Sequence, residues 1–122
     1  CIEKILDSNG TLVVEQTGVE RQVYSQETAK EMTDILKGVL IRGTGAKRRL
    51  KRITAAGKTG TTNDNKDGWF VGYTSYYTTA VWVGFDIPQE LEDLSGSTYP
   101  GQIWNTYMED IHEGFVDREM NQ

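Results

Sequence analysis

A chain of 122 residues with 37% hydrophobic content is one domain at most and holds enough apolar material for an ordinary globular core. Its mean hydropathy is −0.54, and no apolar run approaches the roughly 18 residues a membrane helix needs, so the sequence offers neither a membrane segment nor a signal peptide. Thirteen basic against eighteen acidic side chains leave a net charge of −5, which disfavours nucleic acid as a partner, and the single cysteine excludes an internal disulfide.

In chain order, Ile2–Leu6 and Thr11–Gln16 flank Asp7-Ser8-Asn9-Gly10, and Asn-Gly between two apolar runs predicts a hairpin because both residues tolerate positive φ. Cys1 runs directly into this strand pattern and reads as a strand residue, not a lipidated terminus with a flexible tether. Ser25 is the expected N-cap of a helix, with Glu27 in the first turn where the helix dipole favours acid. Ala29, Met32, Leu36, Val39 and Leu40 recur on one helical face with Ile35 beside it, and Gly43 and Gly45 end the run. Thr44 stands three residues before Lys47, the spacing of a hydroxyl nucleophile and its base, but in a Gly-Thr-Gly loop without the helix that would hold the pair together. Lys47, Arg48, Arg49, Lys51 and Arg52 form a basic cluster without interleaved aromatics. It reads as a solvated connector, with contact to an anionic polymer or to lipid headgroups as the functional alternative.

Strands follow at about 53–62, 68–74 and 78–86, joined by an Asn63-Asp64-Asn65-Lys66 turn and a short Ser75-Tyr76 turn, which predicts a three-stranded antiparallel meander. Trp69, Phe70, Trp82 and Phe85 are expected in the sheet core. Pro88 and the stretch Gln89 to Leu94 break the pattern, and acid is concentrated in the C-terminal third. Tyr99-Pro100-Gly101 then precede an amphipathic helix whose apolar face is Ile103, Trp104, Tyr107, Met108 and Ile111, with Gly114 as its stop. His112 is the one histidine, and without Cys or His partners at ligand spacing it is expected to be a solvated helix residue; no metal site is expected. A sheet covered by one or two amphipathic helices is an α+β arrangement.

The chemistry-bearing stretch is Ala55-Ala56-Gly57-Lys58-Thr59-Gly60-Thr61-Thr62. A phosphate-binding loop would need glycine at position 52, where Arg52 stands, and would open a helix where this sequence continues as a strand. The plainer alternative is a glycine-rich strand packed closely against a neighbour, with Lys58 solvated at its edge. A Lys-Thr-Gly triplet beside a cleft instead supplies a fixed ammonium, hydroxyl donors and a bare backbone, which can hold a carboxylate and offer an amide N–H to a developing oxyanion.

The flanks favour the second reading. Ala-Gly-Lys-Thr-Gly-Thr-Thr-Asn-Asp (56–64), Asp-Gly-Trp-Phe-Val-Gly-Tyr-Thr (67–74) and Thr-Thr-Ala-Val-Trp-Val-Gly-Phe-Asp (78–86) resemble the transpeptidase domain of class A, bifunctional penicillin-binding proteins. The resemblance extends back through Tyr24 to Ala29, Met32 to Val39 and the strand-like Ile2 to Ile5, and covers nearly everything but the last dozen residues. It implies a penicillin-binding fold, a five-stranded sheet between helices with the Lys-Thr-Gly strand on the edge facing the cleft. It also implies a catalytic role for Lys58 and Thr61, and substrate binding by Lys58, Thr59, Gly60 and Thr61. Strand alternation puts Thr59 and Thr61 on one face, as paired hydroxyls for a ligand carboxylate, and Lys58 and Thr62 on the other, so that Lys58 reaches the site from beneath. Gly60 keeps the strand bare. The Thr61 N–H is one of two oxyanion donors by the resemblance.

The family's nucleophile sits in Ser-x-x-Lys, and here Ser8, Ser25, Ser75, Ser95 and Ser97 are followed at that spacing by Thr11, Thr28, Thr78, Thr98 and Pro100; Ser-x-Asn is also absent. Residues 1–122 are therefore expected to be the C-terminal part of a transpeptidase domain, with the nucleophile, the other two strands and the helical subdomain supplied elsewhere, in the same or a separate chain. The resemblance implies a serine D,D-transpeptidase that cross-links peptidoglycan stem peptides, is acylated by β-lactams and needs no metal or organic cofactor. Its parent protein is implied to be anchored upstream at the extracytoplasmic face of the bacterial membrane, with a glycosyltransferase module. Two alternatives stand beside this. One is another penicillin-recognising enzyme or sensor, such as a D,D-carboxypeptidase or β-lactamase; the other is a non-catalytic wall-binding module.

Overall fold

The computed structural model describes residues 3–15 and 21–120. The predicted hairpin forms as β1 (Lys4–Leu6) paired antiparallel with β2 (Leu12–Glu15); its expected outer ends, Ile2 and Gln16, lie outside the described residues. Its turn is closed by Asp7 as much as by glycine. The Asp7 carboxylate accepts the N–H groups of Asn9 and Thr11, each at 2.8 Å, and the Asp7 carbonyl accepts that of Gly10. The Thr11 and Asn9 N–H groups hold the Asp7 carboxyl below its ordinary value. Gly10 is the one residue of this turn at positive φ, 81°, so Asn9 does not need the left-handed region, and the pairing register slips within the strands, between Ile5 and Leu6 opposite Val13.

Helix α1 (Gln26–Arg42) starts where its cap predicts: the Ser25 hydroxyl accepts the Thr28 N–H at 3.1 Å, and Gly43 closes the other end through the Val39 carbonyl. Its buried stripe differs from the expected one. Thr33 and Leu40 are buried, whereas Met32 and Ile35 are 52% and 64% exposed and Ala29 is also exposed. The helix packs on β3 and is anchored by a hydrogen bond of 3.0 Å between the hydroxyls of Thr33 and Tyr73. That contact turns the Ala29–Met32–Ile35 side outward. A buried threonine carries no apolar signal in a sequence, so the predicted stripe departs from the buried one in the first half of the helix, whereas Leu36, Val39 and Leu40 are half-buried or buried as expected.

The second sheet is the predicted meander, in the order β3 (Ala56–Thr61), β4 (Asp67–Tyr73), β5 (Thr78–Gly84), all antiparallel. The 63–66 turn holds Asp64 and Asn65 at positive φ, 63° and 49°, a conformation that short polar side chains tolerate better than most. The register puts Gly57, Thr59, Thr61, Gly68, Phe70, Gly72, Thr79, Val81 and Val83 on one face, which α2 (Tyr99–Ile111) covers. Here Phe70 stacks on Trp104 at 4.8 Å between ring centres, both wholly buried, with Leu40, Leu50, Ile53 and Met108 completing the core. Complete burial of each of these two aromatics stabilises the fold by about 2–3 kcal/mol. Gly72 makes this possible, since a Cβ there would lie 2.5 Å from the Trp104 ring; the indole N–H donates to the Gly72 carbonyl at 3.3 Å.

Only Phe70 of the four expected core aromatics is buried. Trp69, Trp82 and Phe85 are 45%, 42% and 41% exposed. Trp69 and Trp82 sit opposite each other on the other face of the sheet, 6.4 Å apart, and the Trp82 N–H donates to Asp67. In α2 the helix begins at Tyr99, taking in Pro100 in its first turn, where a missing N–H costs nothing. Trp104 and Met108 are buried, but Ile103 and Tyr107 face out.

His112 caps α2 and is buried, contrary to the solvated position expected of it. Its Nδ1 lies 2.7 Å from the Met108 carbonyl and must donate to it, which leaves Nε2 to accept from the Thr74 hydroxyl at 2.9 Å. Thr74 accepts in turn from the N–H groups of Tyr76 and Tyr77, so the histidine ties the end of α2 to the β4–β5 turn. Beyond it, Asp117 accepts the N–H and the hydroxyl of Thr54, each at 2.7 Å, which clips the C-terminal tail to the segment leading into β3.

Candidate active site

The open edge of β3 is defined by main-chain hydrogen bonding. The Thr62 N–H donates to the Asp67 carbonyl across the turn at 3.0 Å. Antiparallel alternation then directs the N–H and C=O groups of Gly60 and Lys58 toward β4 and those of Gly57, Thr59 and Thr61 toward the free edge. At the other end of β4 the Thr74 N–H donates to Tyr77, which requires the same alternation. The N–H that Thr61 offers is thus unused by the sheet.

Side chains alternate as expected, with Lys58 and Gly60 on the face of Val71 and Trp69, and Thr59 and Thr61 on the face of Phe70 and Gly68. Lys58 is exposed. Its ammonium curls over the free edge, donating to the Thr59 carbonyl at 2.9 Å and to the Thr59 hydroxyl at 3.4 Å. Gly60 leaves the strand bare beside Trp69, the nearest atom to a Cβ there being the Trp69 Cβ at 3.3 Å.

The two threonine hydroxyls are each held by a neighbouring loop. Thr61 accepts the Gly96 N–H at 3.0 Å, and the Ser95–Thr98 loop lies so close over the strand that a Cβ on Gly96 would meet the backbone of Gly60 and Trp69. Thr59 lies 2.8 Å, hydroxyl to hydroxyl, from Thr44 in the loop that follows α1. No spacing in the sequence connects Gly96 or Thr44 to the Lys58 strand. Thr44 carries a signal, its position in Gly-Thr-Gly, and its Oγ meets the Thr59 hydroxyl instead of the Lys47 amine that a nucleophile would need.

The basic cluster forms a short 3-10 turn (Ala46–Arg48) and the connector beyond it. Arg48 donates to the Ser97 carbonyl at 2.7 Å and so ties the connector to the loop over β3. A groove of about 570 Å³ runs along the outer side of α2 beside Tyr99, Ile103 and Tyr107 and shares no residue with the β3 edge. Among the described residues, no group of three or more His, Cys, Asp or Glu converges to hold a metal, and no helix is long and apolar enough to cross a membrane.

Residues 2–109 match the family of the penicillin binding protein transpeptidase domain. The chain is 52% identical over 96 residues to Penicillin-binding protein 1A of Pseudomonas aeruginosa, covering 77% of this chain and 12% of that protein. It is 38% identical over 108 residues to Penicillin-binding protein 1A of Aquifex aeolicus, covering 88% of this chain and 15% of that one. The fold superposes on a crystal structure of Penicillin-Binding Protein 1A from Haemophilus influenzae with a TM-score of 0.65 at 23% identity, over 99% of this chain and 24% of that one. The chain thus spans a small share of the proteins it matches, and it belongs to the penicillin-binding protein transpeptidase family.

Proposed function

We propose that these residues form part of a peptidoglycan D,D-transpeptidase, contributing the Lys-Thr-Gly edge of a site whose serine lies outside the 122 residues. The observation that carries this is the free edge of β3, where the main-chain groups of Thr59 and Thr61 point outward beside an exposed ammonium. An extended stem peptide lying along that edge would bond to the main chain, with its terminal carboxylate near the Thr59 and Thr61 hydroxyls and the Lys58 charge. The serine oxygen attacks the carbonyl of the penultimate D-alanine, and the Thr61 N–H donates to the oxyanion that forms. The peptide C–N bond then breaks, the terminal D-alanine leaves with the proton on its amine, and an acyl ester remains. Attack by an amine of a second strand forms the cross-link and returns the proton to the serine. A β-lactam acylates the same serine through its ring carbonyl. The remainder of the transpeptidase domain is the partner this reading requires, at the outer face of the bacterial membrane, and no step in it calls for a metal or organic cofactor.

Labelling with a fluorescent penicillin tests the reading. The full-length gene product is expected to form a stoichiometric, heat-stable adduct on a serine outside residues 1–122, and the isolated 122-residue chain to form none. A covalent adduct on the isolated chain would require a nucleophile among these residues and overturn the assignment.

A further inference from the structure

We propose that Thr44 is a positioning residue for substrate carboxylate recognition, acting through Thr59; this rests on the transpeptidase reading above. The argument begins with the hydrogen-bonding capacity of the Thr59 hydroxyl, which has one proton and two lone pairs. The Lys58 ammonium can only donate, and at 3.4 Å it takes one lone pair. The Thr44 hydroxyl, at 2.8 Å, is placed to take the other. With both lone pairs filled, the Thr59 proton is the one group left to offer, and it is directed to an incoming acceptor. A carboxylate is the acceptor that gains most, because hydrogen bonds to a charged group are stronger and because each donor feeding Thr59 polarises its O–H further.

Thr44 can do this because its loop is fixed from both sides. A Cβ on Gly43 would stand 2.8 Å from the Val39 Cα, and one on Gly45 would stand 2.9 Å from Leu40, a core residue, and 3.5 Å from the Phe70 ring. Both flanking residues are therefore packed against the end of α1 and the core, and the N–H groups of both bond the Val39 carbonyl. The threonine between them is exposed yet held, so its hydroxyl has little freedom to lose when a ligand binds. Neither Gly43 nor Gly45 has positive φ, so the constraint is one of space.

The test uses the full-length protein and measures the second-order acylation rate with a penicillin and with the methyl ester of the same penicillin. Thr44→Val keeps the volume and removes the hydroxyl; Thr44→Ser keeps the hydroxyl. The valine variant is expected to be acylated by the penicillin about five- to tenfold more slowly, the worth of one hydrogen bond, while its rate with the ester stays within about twofold of the parent and serine restores the penicillin rate. Equal rates for parent and valine variant would overturn the role of Thr44. Equal losses with acid and ester, or failure of serine to rescue, would make Thr44 a structural residue and overturn it too. A parent protein that no penicillin acylates would instead overturn the transpeptidase reading and this inference with it, an outcome distinguished from the others without any variant.

Discussion

The Lys58 ammonium occupies the Thr59 carbonyl, an acceptor that a peptide adding to the β3 edge would need. The side chain is exposed and its four-carbon stem is flexible, so this contact is weak and a ligand carboxylate can draw the charge away from it. Lys58 therefore has two positions available, one that caps the empty edge through the Thr59 carbonyl and one that gives up the carbonyl for an anion while keeping its contact with the Thr59 hydroxyl, and the proposed acylation would use the second. In the full-length enzyme, Lys58→Ala is expected to slow acylation by about 10²-fold or more, the scale of losing one preorganised electrostatic group, with the melting temperature nearly unchanged because nothing buried is removed. Acylation within about threefold of the parent would identify Lys58 as a solvated edge residue.

Among the elements, those governed by local chemistry were legible in the sequence. The α1 cap at Ser25, the glycines at its end and the three-stranded meander all fall within a few residues of where the sequence predicts them. Sequence and structure part wherever a side chain's environment depends on a distant partner. His112 is buried by its contact with Thr74, 38 residues away, which no spacing announces, and the alternating pattern of a strand does not say which of its faces is covered, so Trp69 and Trp82 fall on the open one. At the site, the residue types were readable, but the loops that hold Thr59 and Thr61 come from positions 44 and 96, which only the fold brings to β3. The clip between Asp117 and Thr54 belongs to the same class of long-range contact and makes a pH-dependent prediction. Desolvation pushes the Asp117 carboxyl up, but the Thr54 N–H and hydroxyl, the Arg118 N–H and the Lys37 charge together hold it below its ordinary 3.8. A carboxyl lowered in the folded state contributes stability that is present above that value and lost as pH falls through the folded one. In the intact domain, Asp117→Ala is expected to cost of order 1 kcal/mol at neutral pH, a modest figure because the carboxylate is largely exposed, and the deficit should shrink below about pH 4. Thermal melts from pH 2 to 7 provide the check: a deficit that is absent at pH 7, or constant across the range, rules the clip out.

For the molecule as a whole, the sheet is covered on the Phe70 face by α2, while the other face shows Trp69, Val71 and Trp82 to solvent, partly flanked by α1 at Tyr73. The alternation that fixes the β3 edge also directs the main-chain groups of Thr78, Ala80, Trp82 and Gly84 away from β4, and among the described residues no strand pairs with that side of β5. An apolar sheet face meeting an unpaired strand edge is the surface that another strand and helix would cover, and left open it templates association. The 122 residues expressed alone are therefore expected to self-associate or aggregate at micromolar concentration. Co-expression with the remaining part of the transpeptidase domain is expected to give a soluble complex. Size-exclusion chromatography with light scattering distinguishes the outcomes. A monomer that melts cooperatively across the micromolar range would mean that α1, α2 and the hairpin suffice to close the sheet, and that the β5 edge has no further strand to receive.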